Sequence, residues 1–364
     1  MTLLSRTAES LYWVGRYVER AENMARLLDT GKRMSAIPGD SAHQSEWEPI
    51  LAAAGARQSY DALYPEINQR NVVDFLAHAP QNASSIASCI DRARDNARSM
   101  RTAFTIEMWE ALNEFWLELR ARPRVEPGSG RLAPFLDWVK RSCALFRGVA
   151  DSTMLRNDSY DFLRLGMFIE RADCTARLLD VKYYALLKPE DPVAGGVDIY
   201  QWTVVLRATS SLRAYNWVYG GGYEAANIVD FLILNPYSSR SLSYCMEKTT
   251  EHLNRLARLY AERHDAHEIC GSIYAELTDS SIDSIFQGGL HEFLTRFIAR
   301  NNWLSVQIAR DYYFAPMAEI AAPAASDKSA QAPSNPPPAE QKIELKQGFG
   351  EGEAAVENQD RAAG

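Results

Sequence analysis

Two short stretches of this chain carry the residues best equipped for chemistry. One holds Arg16, Glu19, Arg20, Glu22 and Arg26. The other holds Glu170, Arg171, Asp173 and Arg177. A carboxylate can move a proton when its surroundings tune its pKa. A guanidinium is a permanent planar donor that grips a carboxylate or phosphate with two parallel bonds. Interleaved at helical spacing, the two groups suit three tasks. They can orient an anionic or peptide ligand, support a buried Glu acting as general base, or lock helices together by ion pairs.

The stretches are copies. Leu11–Asp29 reads LYWVGRYVERAENMARLLD and Phe162–Asp180 reads FLRLGMFIERADCTARLLD. Every identity lies 151 residues from its mate, as Glu19 does from Glu170. Further matches follow in the same order. NVVDFL at Asn71 pairs with NIVDFL at Asn227, Cys89 with Cys245, and LAPFL at Leu132 with LHEFL at Leu290. A helical unit that repeats once covers its apolar face with its own copy. The chain therefore reads as two halves, about 1–150 and 151–317, related by an internal pseudo-twofold axis.

At about 100° per residue, Tyr12, Arg16, Glu19, Arg20, Asn23 and Arg26 share one arc of a helix, opposite an apolar stripe. Most surface substitutions cost within about ±0.5 kcal/mol, so solvated residues drift after duplication. Here the charges outlasted their neighbours: Trp13 faces Arg164 and Met24 faces Thr175. The pattern predicts a buried or half-buried polar role, with Glu22 and Arg26 paired along the helix. Glu19 is expected to pair with Arg20 or Arg26, and Glu170 with Arg171 or Arg177. A second candidate binding face is Arg94, Arg98 and Arg101, which the second half does not reproduce. The nearby Trp109 and Trp116 read as core.

Several chemistries find no support. No His has Glu three residues before it, as a di-iron bundle requires. Interleaved arginines would compete with a metal at Glu19, Glu22, Glu170 and Asp173. His264, His267 and Glu268 are only a weak metal signal. Gly220–Gly222 lacks a Walker lysine or a dinucleotide fingerprint and reads as a turn. The five cysteines form no CxxC pair and read as small buried apolar residues. No catalytic residue, metal or cofactor is therefore assigned, and the protein reads as more a binder than an enzyme.

The surrounding elements are helices. Periodicity predicts an all-α bundle of about ten, with VVDFLA and IVDFLIL as short buried ones. Loops are expected at 36–40, 122–130 and 188–196. Residues 1–317 read as the folded domain. Residues 318–364, rich in Ala, Pro and acid, read as a disordered tail. A net charge of −8 argues against a nucleic-acid binder. With no apolar run long enough to span a bilayer, and no secretory leader at the N-terminus, a cytoplasmic location is expected.

LSRTAESLYWVGRYVERAENMARLLD at Leu4, VVDFL, DRARDNARSMRTAFTIEMWEALN at Asp91 and the second ERAD helix together resemble the bacterial alpha-E family. The likeness covers residues 1–315. Asp95 departs from it, standing where the family pattern has Glu and so shortening one carboxylate. The resemblance implies an all-helical protein without an established activity. Members tend to be encoded beside circularly permuted ATP-grasp ligases and transglutaminase-like peptidases. That implies an accessory or peptide-binding role beside an amide or peptide ligase, with such a protein as partner. An enzyme of amide-bond metabolism using a buried Glu, and a scaffold with no ligand, are the alternatives.

Overall fold

Helical periodicity becomes helix nearly throughout this computed structural model. It describes residues 4–35, 47–125, 130–186 and 196–314, without the side chains of 181–186 and 196–198. Among the described residues there are fifteen α-helices and no strand. The first half contains α1 Ser5–Met34, α2 Glu48–Ala53, α3 Arg57–Asp61, α4 Gln69–Ala77, α5 Ile86–Ser99, α6 Ile106–Ala121 and α7 Leu132–Thr153. The second contains α8 Asp158–Leu186, α9 Gly196–Ala208, α10 Leu212–Tyr219, α11 Ala225–Ile233, α12 Leu242–Tyr260, α13 Asp265–Asp279, α14 Ile282–Gln287 and α15 Leu290–Asp311. The expected count of ten is low because helices such as α2, α3 and α14 span under two turns, too short to show a period.

VVDFL and IVDFL do form buried helices, α4 and α11. The run 200–219 is two helices, not one. Thr209, Ser210 and Ser211 break it, with Ser210 at φ 56° and the Ser211 amide bonded back to Leu206 O at 2.7 Å. The Thr209 hydroxyl donates to Val205 O and Leu206 O, each at 3.1 Å, as short hydroxyl side chains compete for backbone groups. The expected loop at 36–40, that at 188–196 except Gly196, which starts α9, part of that at 122–130, and the expected tail at 318–364 lie outside the described residues.

Packing falls into two sets of four. Helix α1 packs on α5 and α7, with α6 across both; α8 packs on α12 and α15, with α13 across both. The most extensive interface joins α1 to α8. Elements matched by the sequence repeat also match in detail. Both α7 and α15 have 22 residues. Ser85 and Ser241 cap α5 and α12 alike, each accepting from the amide three residues on.

The crossing of α1 and α8 needs glycine. A Cβ on Gly15 would collide with the Leu163 carbonyl oxygen and lie 3.2 Å from its carbon. A Cβ on Gly166 would collide with the Tyr12 carbonyl and come 2.9 Å from its carbon. Tyr12 and Leu163 are themselves repeat mates, so the contact is reciprocal. Backbones this close bury Arg16, Glu19, Glu22, Arg26, Glu170 and Arg171 and half-bury Arg20, Asp173 and Arg177.

Candidate functional site

Glu19 is fully buried, one turn beyond the Gly15 crossing. Its carboxylate takes a forked bond from Arg171 across the interface, Nε to Oε1 at 2.9 Å and Nη2 to Oε2 at 3.1 Å. Arg147 of α7 adds a contact at 3.2 Å and Arg240, from the loop before α12, one at 3.4 Å. Glu22, also buried, takes Arg26 Nε at 2.9 Å, Arg240 Nη2 at 2.8 Å and Arg147. Arg26 in turn donates to Ala208 O and to Ser210 Oγ, groups the α9 break leaves free. Two carboxylates and four guanidiniums thus form a cluster sealed apart from Arg147, which is 18% exposed and borders a small cleft beside Glu19.

The other face of the crossing carries its mate. Glu170 takes Arg20 through Nε to Oε1 at 2.6 Å and Nη2 to Oε2 at 2.8 Å. Arg16 Nε adds a bond at 2.9 Å, while its Nη1 donates to Ser305 Oγ. Asp173 Oδ2 takes Arg177 Nε at 2.7 Å. This side is open. A cavity of about 440 Å³ is lined by Arg16, Arg20, Asn23, Glu170, Asp173 and Arg177, with Trp13 and Trp303 as aromatic walls. Asn23 Oδ1 and Asp173 Oδ1 are buried there without a hydrogen-bond partner.

Burial by itself would raise the Glu170 pKa. The Arg20 and Arg16 charges and their hydrogen bonds outweigh it and hold the group at about 2. Glu19 is likewise penalised by burial, yet Arg171, Arg147 and Arg240 hold it well below the usual carboxylate range. Glu22 is lowered by Arg240 and Arg26 against the same penalty. A general base at neutral pH needs the opposite shift.

Carboxylates with depressed folded pKa values stabilise the fold above their unfolded pKa, and that stability is lost as pH falls through the folded one. For Glu170 the window runs from 4.5 down to about 2. Urea midpoints measured over that range are expected to fall steadily as pH drops, and more steeply than in Glu170→Gln. A flat profile would mean the network adds nothing to stability.

The structure brings Arg16, Glu19, Arg20, Glu22, Arg26, Glu170, Arg171, Asp173 and Arg177 to the α1–α8 crossing as two clusters. The expected Glu22–Arg26 pair forms along α1, but Glu19 and Glu170 take different partners from those expected. The Glu-Arg pairs form between helices, Glu19 to Arg171 and Glu170 to Arg20, because successive residues on a helix do not face each other. Arg147 and Arg240 carry no comparable signal in the sequence. Each sits in an ordinary polar context, and only the need of two buried carboxylates for more donors pointed to them.

Arg94, Arg98 and Arg101 stand apart. Arg94 bonds Asn113 Oδ1 at 2.9 Å and stacks 3.9 Å over Trp116; Arg101 stacks 4.4 Å over Trp109. Arg98 and Arg101 are exposed, and both tryptophans are half-buried rather than core. His267 is buried, with Nε2 3.0 Å from Leu253 O and Nδ1 3.0 Å from the His264 amide. No group of three or more His, Cys, Asp or Glu side chains among the described residues could hold a metal ion. All five thiols are buried. Burial pushes Cys89 and Cys245 up to about 12.

Fold and site define an all-helical protein built on two crossed Glu-Arg helices. The chain belongs to the Alpha-E family, described as a predicted alpha-helical domain with a conserved ER motif, whose model matches residues 3–313. Curated relatives include an uncharacterized protein of Mycobacterium bovis and uncharacterized proteins from two strains of Mycobacterium tuberculosis. Each is 25% identical over 268 residues, covering 69% of this chain. The chain spans 30% of the length of these relatives. No solved structure matches. Among the described residues, no helix is long and apolar enough to cross a membrane.

Proposed function

We propose that this chain is a non-catalytic helical module that binds a peptide for an ATP-grasp-type amide or peptide ligase, a transglutaminase-like protein being the alternative partner. The supporting observation is the open charged cavity beside Glu170. Its volume of about 440 Å³ lies within the usual range for ligand sites. It combines aromatic walls with convergent arginines and carboxylates. The depressed Glu pKa values favour a binder over an enzyme. The family resemblance supplies the ligase partner. The sealed Glu19–Glu22 cluster favours a second, structural role for its own half of the network: it fastens α1 to α8, α7 and the loop before α12.

Tagged full-length chain, purified from its own cells, is expected to bring down an ATP-grasp protein, and adding it to that ligase should raise peptide ligation. Purification without any ATP-grasp protein, or turnover of a peptide by the chain alone, would overturn the reading.

A further inference from the structure

The open cavity is the sealed cluster with two arginines missing. In the register that pairs Cys89 with Cys245, Arg240 corresponds to Ser84. In the register that starts α7 at Leu132 and α15 at Leu290, Arg147 corresponds to Ser305. Both serines line the cavity. On the sealed side, Arg240 and Arg147 reach in from outside the helix pair and complete Glu22. On the open side, Asp173, the mate of Glu22, keeps Oδ1 buried with no donor. Asn23, only 2% exposed, keeps Oδ1 in the same condition. Asp173 thus lacks the donors that Arg240 and Arg147 supply to its mate Glu22, and Asn23, whose mate is Cys174, adds a second acceptor without one.

The charge count agrees. The sealed side sets four guanidiniums around two carboxylates. The open side sets three, Arg16, Arg20 and Arg177, around Glu170 and Asp173. Arg16 stands where the second copy has Met167, and so replaces one of the two lost arginines. One further cation would restore the balance of the sealed side.

We propose that this cavity binds a guanidinium-bearing ligand, an arginine side chain of a peptide, whose head group takes the place beside Asp173 and Asn23 that Arg240 fills beside Glu22. The proposal rests on the peptide-binding reading above and on treating the halves as copies. Arg240 itself is the precedent for a fourth guanidinium. Burial and the Arg26 charge press it down only to about 10, so it stays charged at neutral pH. Trp13 and Trp303 wall the cavity and already carry guanidiniums over their rings, Arg16 at 5.1 Å and Arg310 at 5.2 Å.

Isothermal titration of the full chain with three probes tests this: N-acetyl-arginine amide, its neutral isostere N-acetyl-citrulline amide, and the anion N-acetyl-glutamate amide. The arginine probe should bind, the citrulline probe at least about tenfold more weakly, and the glutamate probe not at all. Asp173→Asn should weaken arginine binding by at least about tenfold. Ser84→Arg, which installs the sealed-side residue, should abolish it while leaving the melting temperature at or above that of the parent. Equal binding of citrulline, preference for glutamate, or no saturable arginine binding by a folded chain would each overturn the proposal. Loss of arginine selectivity while the chain still stimulates the ligase would sink the cation site and leave the peptide module standing. Selective arginine binding without effect on the ligase would do the reverse.

Discussion

Gly15→Ala and Gly166→Ala are each expected to cost roughly 3–5 kcal/mol in urea unfolding, or to leave no folded protein. The added methyl meets a backbone carbonyl, not a side chain that can rotate away. Relief requires moving α1 off α8, which also lengthens the Glu19–Arg171 and Glu170–Arg20 bonds. Overpacking alone typically costs about 1–3 kcal/mol, and the coupling to buried charge carries these two changes beyond that range. Gly148 and Gly271 are the controls. Both lie within helices, and an added methyl would find open space, with no neighbouring atom inside 4 Å. Alanine there should stabilise by about 0.5–1 kcal/mol through helix propensity. Equal effects at all four positions would refute the close crossing.

Glu19→Gln is expected to lose about 3–5 kcal/mol, because removing one member of a buried ion network leaves uncompensated charge. The amide keeps the size of the side chain, so the loss reports charge and hydrogen bonding rather than a cavity. Three arginines, Arg171, Arg147 and Arg240, lose their shared carboxylate charge and one of its two acceptor oxygens, and only Glu22 remains to neutralise them. Pairing the change with Arg171→Met should recover part of the loss, since an apolar replacement removes one orphaned charge. Asp173→Asn should cost far less: its side chain is 14% exposed against 0% for Glu19, and it holds a single arginine. Unfolding of the parent and these three variants at neutral pH decides the point. A Glu19→Gln loss no greater than that of Asp173→Asn would show that the sealed cluster carries no special stability.

Much of this was legible in the residues. The apolar period of Val14, Val18, Ala21 and Leu28 reads as helix, and these residues are buried in α1. The recurrence of Glu19 and Glu170 in matching stretches pointed to a buried or half-buried role, and both are buried. Arg94, Arg98 and Arg101 show the limit of such reading. Their spacing resembles a binding face, yet Arg94 and Arg101 stack on Trp109 and Trp116 while Arg98 is exposed. A helical period places side chains on one arc but does not say what covers it.

Local periodicity and the internal repeat determined an all-helical chain and marked which charges lie out of water, because both depend on neighbours within a few turns. Tertiary structure alone decided that each Glu grips the other copy's Arg, that Arg147 and Arg240 close one cluster, and that Ser84 and Ser305 leave its mate open. Those outcomes depend on distances between helices far apart in the chain, set by the glycine crossing, and no spacing along a single helix encodes them.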